Sequence, residues 1–369
     1  MNRPFKADVV GSLLRPRSIL DARAQFNAGK LSREELWKIE SAAVDEAVAL
    51  QKSAGLKVCT DGEYHRRHWF MDFVERIDGV AFEGGLKTAF QDENGFIEMK
   101  PPVVVTKRKL GRVRPLAGDE FGDLKPRADR AGLVAKQAIP SPTLVHFRSG
   151  NAGVDKKAYP DIAEYFADLA RVYREEIAAL YAAGCRYLQI DETNFPFLCD
   201  PKLHDHVRAI GEDPVGIQKL YAKLINDCLI GKPADMTIAT HFCRGNHESA
   251  WVASGGYEPV AEIAFGELNF DGFFLEYDTD RAGDFRPLRH LGGDKVAVLG
   301  LVTSKKAALE SKDDLRRRID EATKFVPLER LALSPQCGFA STIGGNRLTI
   351  DDEKRKLELI VEVAREVWG

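Results

Sequence analysis

The chain predicts an α/β fold, a (β/α)8 barrel. Three observations carry that reading. Eight short apolar runs recur along the chain, with helix-like periodicity between them. Several runs are continuous rather than alternating, as expected of parallel strands buried on both faces. Polar residues able to do chemistry fall just after the runs, from the first to the last, where a barrel carries its active site. A doubly wound open sheet is the alternative.

The expected strands are 6–12, 57–61, 142–147, 187–191, 236–242, 272–277, 296–302 and 331–335. KADVVGS opens the series and ends in a Gly-Ser turn; LKVCTDGE follows a helical stretch at 31–54. Ser32 stands ahead of Glu34 and Glu35, the pattern of a helix N-cap. Further helices are expected at 160–183, 214–230, 257–268, 311–323 and 351–368. Residues 79–139 break the rhythm. Short β-like runs there, FIEM and PPVVVTKRKL, predict a β-hairpin-like insertion after the second strand, packed over one end of the barrel and shaping its mouth. No repeat, low-complexity tract or linker divides residues 1–369, so one catalytic domain is expected.

Composition bounds the function. A chain of 369 residues can bury a sizeable core, and its 44% hydrophobic and 30% charged residues are ordinary for a globular enzyme. A net charge of −3 argues against nucleic-acid or membrane-surface partners. No apolar run approaches the ~20 residues of a membrane helix, and the first residues lack a signal-like apolar core. Six scattered cysteines without an export signal predict free thiols or metal ligands in the cytoplasm. Cys59, Cys185 and Cys228 read as core fillers, while Cys199 stays open.

The chemistry concentrates at His241 and Cys243 in ATHFCRG, Glu276 in FFLEYD and Cys337 in LSPQCGF. Each lies at or just after an expected strand, so all four fall on one rim. Residues i and i+2 of an extended segment face the same side, which lets His241 and Cys243 share an ion. Two thiolates, an imidazole and a carboxylate suit Zn2+ better than magnesium or calcium. Each residue also has a bland reading, because a lone strand-end histidine is usually hydrogen-bonded and an isolated His-x-Cys arises by chance. Bound zinc lowers a thiol's pKa, so the set points to thiolate alkylation.

With these motifs, DVVGS near the start, DGE at 61–63 and QIDE at 189–192, the sequence resembles the zinc-binding catalytic domain of cobalamin-independent methionine synthase over nearly its whole length. It is most similar to short single-barrel bacterial members sharing GSLLRP, SGGYEPVAE and FLEYD strings. The resemblance implies a methyltransferase that converts homocysteine to methionine. It implies zinc on His241, Cys243, Glu276 and Cys337. It also implies that Glu63 and Asp191 bind the homocysteine ammonium, with Gly11 and Ser12 at its carboxylate. Both acids stand at expected strand ends; capping or ion pairing is their bland alternative. The family's pterin-stacking tryptophan falls near Phe147, and its proton-donating histidine near Lys305, where no histidine stands. Full-length members carry a second, N-terminal barrel, whereas a single barrel is expected of these residues. The methyl donor is therefore either a methylfolate or a methylcorrinoid protein, the latter serving single-barrel archaeal relatives.

The run Tyr64–Phe70 is rich in cationic and aromatic groups, with Trp69 placed to stack on a substrate and Arg66 and Arg67 beside it. Arg15 is a further candidate for a substrate carboxylate or sulfonate, or else a structural ion pair. Arg244, Gly245, Asn246 and Trp251 are expected to line the pocket. Two other functions stay open. One is alkyl transfer to another thiol, such as epoxide opening by coenzyme M, with Arg15, Arg66 or Arg67 on the sulfonate. Glu63 and Asp191 weigh against that, since two carboxylates repel an anionic thiol that lacks an ammonium. The other is a binding or regulatory protein whose zinc is structural.

Overall fold

The computed structural model describes residues 4–85, 87–92 and 95–369. In chain order its strands are β1 (Val58–Cys59), β2 (Asp78–Glu83), β3 (Thr88–Asp92), β4 (Gly95–Met99), β5 (Val103–Gly111), β6 (Val134–Pro140), β7 (Tyr187–Glu192), β8 (Thr237–Phe242), β9 (Gly272–Glu276), β10 (Val296–Val302) and β11 (Leu331–Pro335). Seven of them form one parallel sheet in the order β1-β6-β7-β8-β9-β10-β11. From β6 to β11, neighbours in the sheet are also consecutive in sequence with helix between them, so the architecture is α/β with every strand end on the same side.

The expected first strand, 6–12, is reduced to a single parallel bridge between Ala7 and Leu333. Its backbone exchanges hydrogen bonds with β11, from Asp8 N to Leu333 O (3.0 Å) and from Leu333 N to Lys6 O (2.9 Å). A few residues on, Leu13 N donates to Gly62 O (3.1 Å) and Thr60 Oγ1 donates to Gly11 O (2.6 Å), beyond the β1 edge. One segment therefore touches both ends of the strand order, and the sheet curls in a barrel-like manner.

The helices follow the expected periodicity. Ser32 and Glu35 form a reciprocal capping box at the start of Arg33–Ser53. Asp161, Ser311 and Thr349 cap Ile162–Ala182, Lys312–Ala322 and Ile350–Trp368 by accepting backbone N–H bonds. Gly216–Cys228 falls within 214–230, and Glu258–Ala261 runs on into a π-helical stretch, Glu262–Glu267.

The third sheet strand is not 142–147 but β6, at 134–140. PTLVHF forms one helical turn, Leu144–Phe147, just beyond the strand end. The error has a physical cause. VAKQAIP carries a lysine and a glutamine that disguise it, yet both are buried. Lys136 Nζ bonds Asp8 Oδ1 (3.1 Å) and Val9 O inside the curl and sits 3.8 Å from the Phe274 ring centre. Tyr187 OH donates to the other Asp8 oxygen (2.6 Å). Around them, Val10, Val58, Ala239, Val298 and Ala332 close an inner apolar cluster.

The bounds 79–139 are likewise too wide, because helix Gly118–Ala131 and β6 belong to the regular βα series. The excursion covers 78–111. There β2 pairs antiparallel with β5, and β3 with β4. The β3–β4 hairpin is fastened to the chain after β8 by Gln91 N to Trp251 O (2.6 Å) and Trp251 N to Gln91 O (2.9 Å). Asp92 adds an ion pair with Arg347 (3.0 Å). No helix among the described residues is long and apolar enough to cross a membrane.

The buried Asp8–Lys136 pair generates a stability prediction. Lys136→Met strands the Asp8 charge and should lower the unfolding free energy by about 3–5 kcal/mol. Adding Asp8→Asn should restore part of that loss. Urea denaturation measures both, and a Lys136→Met loss below about 1 kcal/mol would show that the pair is not the keystone described.

Candidate active site

The strand register delivers the four expected metal ligands to one place. His241 is the penultimate residue of β8, Cys243 follows the strand, Glu276 ends β9, and Cys337 lies two residues beyond β11. One ligand atom from each lies within 4.8 Å of all the others. The sulfurs of Cys243 and Cys337 are 3.6 Å apart. That is close to the ~3.8 Å separating two thiolates on one tetrahedral zinc with zinc–sulfur bonds of ~2.3 Å. Neither ring nitrogen of the buried His241 has a nitrogen or oxygen partner. A buried imidazole left so is costly without an ion, so the residues present fit zinc.

Glu276 is held from both sides. Its Oε1 accepts from Arg244 N (2.8 Å), and its Oε2 pairs with Arg281 Nη2 (3.0 Å). The Arg281 guanidinium also lies over the Trp251 ring, 4.8 Å from its centre. Sequence reasoning missed Arg281, although it stands five residues after Glu276 in the same turn. Cys337 is drawn well below the ordinary thiol range by the hydrogen bond with Cys243 and, against burial, by His241. The same hydrogen bond, together with burial, pushes Cys243 up.

Glu63 and Asp191 open onto the cavity that reaches His241, Cys243 and Cys337. Asp191 ends opposite His241 in the β7–β8 register, and its Oδ1 accepts from Gln189 Nε2 (2.6 Å). Glu63 sits in a tight turn after β1, where Asp61 Oδ1 accepts its N–H (2.9 Å). Its φ is +59°, a left-handed conformation that costs a non-glycine residue of order 1–3 kcal/mol. Such strain persists where the surroundings fix it. Burial pushes Glu63 up to about 8, with Arg66 opposing and Asp191 adding to the rise. Burial also pushes Asp191 up to about 6, with His241 opposing. Glu63 Oε2 is buried without a hydrogen-bond partner, while its Oε1 stands 3.8 Å from Arg66 Nη1.

The N-terminal turn fits closely against these groups. A Cβ at Gly11 would stand 2.9 Å from Glu63 Oε1. Ser12 lines the cavity, and its Oγ accepts from Ala340 N (3.2 Å). Lys305 is buried; its Nζ donates to Asn246 Oδ1 (2.9 Å), and its charge acts on both sulfurs. Gly245 and Asn246 line the cavity as expected. Arg244 instead turns away, onto Tyr257 OH (2.6 Å) and Gly255 O (2.6 Å).

The expectation that Arg15 binds substrate is corrected. Arg15 is buried and absent from the cavity wall; its four terminal N–H groups donate to the carbonyls of Glu63, Arg66, Ala340 and Thr342 at 2.9–3.0 Å. Arg66 is likewise committed to Glu120 and Ala138 O, and Arg67 to Asp72 and Glu75. Arg15 could hold a substrate anion only by breaking its own bonds; Arg66, whose Nη1 stands 3.8 Å from Glu63 Oε1, and Arg67 are absent from the cavity wall.

The cavity measures about 380 Å³. Beyond the polar end, its walls are aromatic: Trp69, Phe70, Phe147 and Phe197 from the loops, with Phe90 and Phe96 from the β3–β4 hairpin. Lys87, Arg148 and Lys202 also line it. Trp69 and Phe147 thus stand where the sequence suggested an aromatic ligand, while the hairpin residues carried no recognisable signal.

The family model described as the catalytic domain of cobalamin-independent synthase matches residues 5–366. The uncharacterized protein YxjH of Bacillus subtilis is 43% identical over 99% of this chain and 95% of its own length. A methionine synthase of Saccharolobus solfataricus is 26% identical, covering 94% of this chain and 96% of that protein. The crystal structure of a candidate vitamin-B12-independent methionine synthase from Listeria monocytogenes aligns with a TM-score of 0.79 at 38% identity, covering 100% of this chain and 99% of the other.

The raised carboxyls set a pH dependence. The folded chain binds the Glu63 proton more tightly than the unfolded chain, whose glutamate titrates near 4.5. That stabilising contribution is full below 4.5 and is lost as pH rises through about 8. In zinc-free protein, Glu63→Gln should therefore gain in melting temperature relative to wild type between pH 5 and pH 8.5. A difference that stays flat across that interval would mean that Glu63 is not desolvated as described.

Proposed function

Since the chain belongs to the cobalamin-independent methionine synthase family and is therefore a methyltransferase, we propose that it methylates the zinc-activated thiolate of homocysteine to give methionine. One observation carries this reading. Two buried carboxylates, one with an oxygen that has no hydrogen-bond partner, share a cavity with an imidazole and two sulfurs arranged as metal ligands. His241, Cys243, Glu276 and Cys337 would hold the zinc. When bound, zinc would supply a Lewis acid that lowers the pKa of a substrate thiol.

The chain's own residues do the rest. Glu63 and Asp191 receive the substrate ammonium, which neutralises two charges that burial disfavours and fixes the sulfur near the ligand cluster. Ser12 and the backbone at Gly11 face the substrate carboxylate. The Lys305 ammonium favours negative charge on nearby sulfur and fixes Asn246 at the cavity wall. The thiolate then attacks the methyl carbon in line: the sulfur–carbon bond forms as the methyl–donor bond breaks, its electron pair stays on the donor (the nitrogen of a methylfolate, which takes up a proton), and the aromatic walls keep water from the reacting atoms.

The cavity favours a methylfolate as donor. Trp69 and Phe147 offer flat faces for a ring, the β3–β4 hairpin roofs the space, and Lys202 suits an anionic tail. A methylcorrinoid protein stays the second donor, since it would need that hairpin to yield. Coenzyme M is disfavoured as acceptor, because the arginines expected at its sulfonate are committed elsewhere. Closeness of the ligand cluster to the cavity counts against a purely structural zinc. We also read the curled sheet and its N-terminal segment as a closed (β/α)8 barrel forming one domain over 1–369, with 78–111 as its inserted roof. Six free cysteines agree with a reducing, cytoplasmic setting.

Metal analysis of protein purified under reducing conditions should find one zinc per chain, and it should be lost in Cys243→Ser and Cys337→Ser. Homocysteine should release a proton on binding. Glu63→Gln and Asp191→Asn should keep the zinc while weakening homocysteine by about tenfold or more, the equivalent of one lost charge pair. Absence of zinc, or proton release with mercaptoethanesulfonate but not homocysteine, would overturn the proposal.

A further inference from the structure

Three rim segments meet beside the site, and a single side chain joins them. Arg15 Nη1 donates to Ala340 O (3.0 Å) and Thr342 O (2.9 Å), in the loop that begins with Cys337. Arg15 Nη2 donates to Glu63 O (3.0 Å) and Arg66 O (3.0 Å), in the loop that presents the ammonium-binding acid. The planar fork of a guanidinium can satisfy four carbonyls in two directions; a lysine ammonium, with three donors and no plane, cannot.

The loops need such a fastener. Glu63 holds a left-handed backbone conformation, and the carbonyl that would swing if it relaxed is the one Arg15 grips, together with Arg66 N (3.1 Å). Lesser bonds follow the same line: Phe339 N to Ser12 O (2.9 Å), Trp69 N to Ser341 O (3.2 Å) and Tyr64 OH to Leu14 O (2.9 Å). Arg15 itself makes no contact with the cavity.

We propose that Arg15 is a positioning residue for acceptor selection: it holds Glu63 in its strained conformation, at a fixed place relative to the Cys337 loop, and so sets the preference for a thiol that carries an amino group. This rests on the amino-thiol reading above. It goes further by assigning that selectivity to a residue that touches neither substrate nor metal.

The test compares two thiols on the full-length cobalt-substituted protein, by the absorption change on thiol binding. Homocysteine and 4-mercaptobutyrate differ by the amino group alone. Wild type should prefer homocysteine. Arg15→Lys and Arg15→Gln should each bind 4-mercaptobutyrate as wild type does but lose about tenfold of the preference, and in a Glu63→Gln background neither should change the preference further. Two substitutions of different shape guard against one that fails to fold. Equal weakening of both thiols would mark Arg15 as generally structural and overturn the inference, and so would an unchanged preference. Absence of any preference in wild type would instead sink the amino-acid acceptor reading. Loss of preference in Glu63→Gln but not in the Arg15 variants would leave that reading standing and remove this one.

Discussion

Parallel pairing is the constraint on which the site depends. Because β6 to β11 all run the same way, each strand ends on one rim, and residues far apart in sequence arrive there together. Asp191 stands opposite His241 across β7 and β8, and Glu276 opposite Gly300 across β9 and β10. Gly300 matters to this geometry: a Cβ there would lie 2.7 Å from Leu275 O and 2.8 Å from the Cα of Gln336, the residue before Cys337. An antiparallel sheet would send half of these groups to the opposite end.

The rim assembles groups that oppose stability. Four ligand side chains, two buried carboxylates and a buried lysine crowd one end of the sheet. The fold offsets this with commitments of its own: Arg244 and Arg281 on Glu276, Gln189 on Asp191, and Arg15 across the loops. The atoms left unsatisfied, His241 Nδ1 and Nε2 and Glu63 Oε2 among them, lie where a metal and an ammonium would complete them. In the proposed reading, the substrate and metal would therefore be electrostatic partners of the fold as well as functional ones.

Much of this was legible in the sequence. The cluster of His241, Cys243, Glu276 and Cys337 could be read because these residue types are rare in combination and recur at strand ends. Helices with caps, such as Ser32 and Thr349, could be read because local hydrogen bonding defines them. The misreadings came from buried charge. Lys136 and Gln137 concealed β6, whereas the apolar PTLVHF posed as a strand though it is one helical turn. Arg15, Arg66 and Arg67 read as anion binders because sequence shows charge without showing which carbonyls and carboxylates already consume it. An insertion over the mouth was expected, but its docking point was not: that runs through backbone bonds between Gln91 and Trp251, and main-chain bonding leaves no trace in residue type.

The central claim is that one zinc sits among His241, Cys243, Glu276 and Cys337 and takes the substrate thiol. X-ray absorption at the zinc edge, with and without homocysteine, tests it most directly. The account predicts two sulfur scatterers at about 2.3 Å in the free protein and three when homocysteine is added. A sulfur count that does not change with homocysteine, or a first shell of oxygen alone, would contradict it.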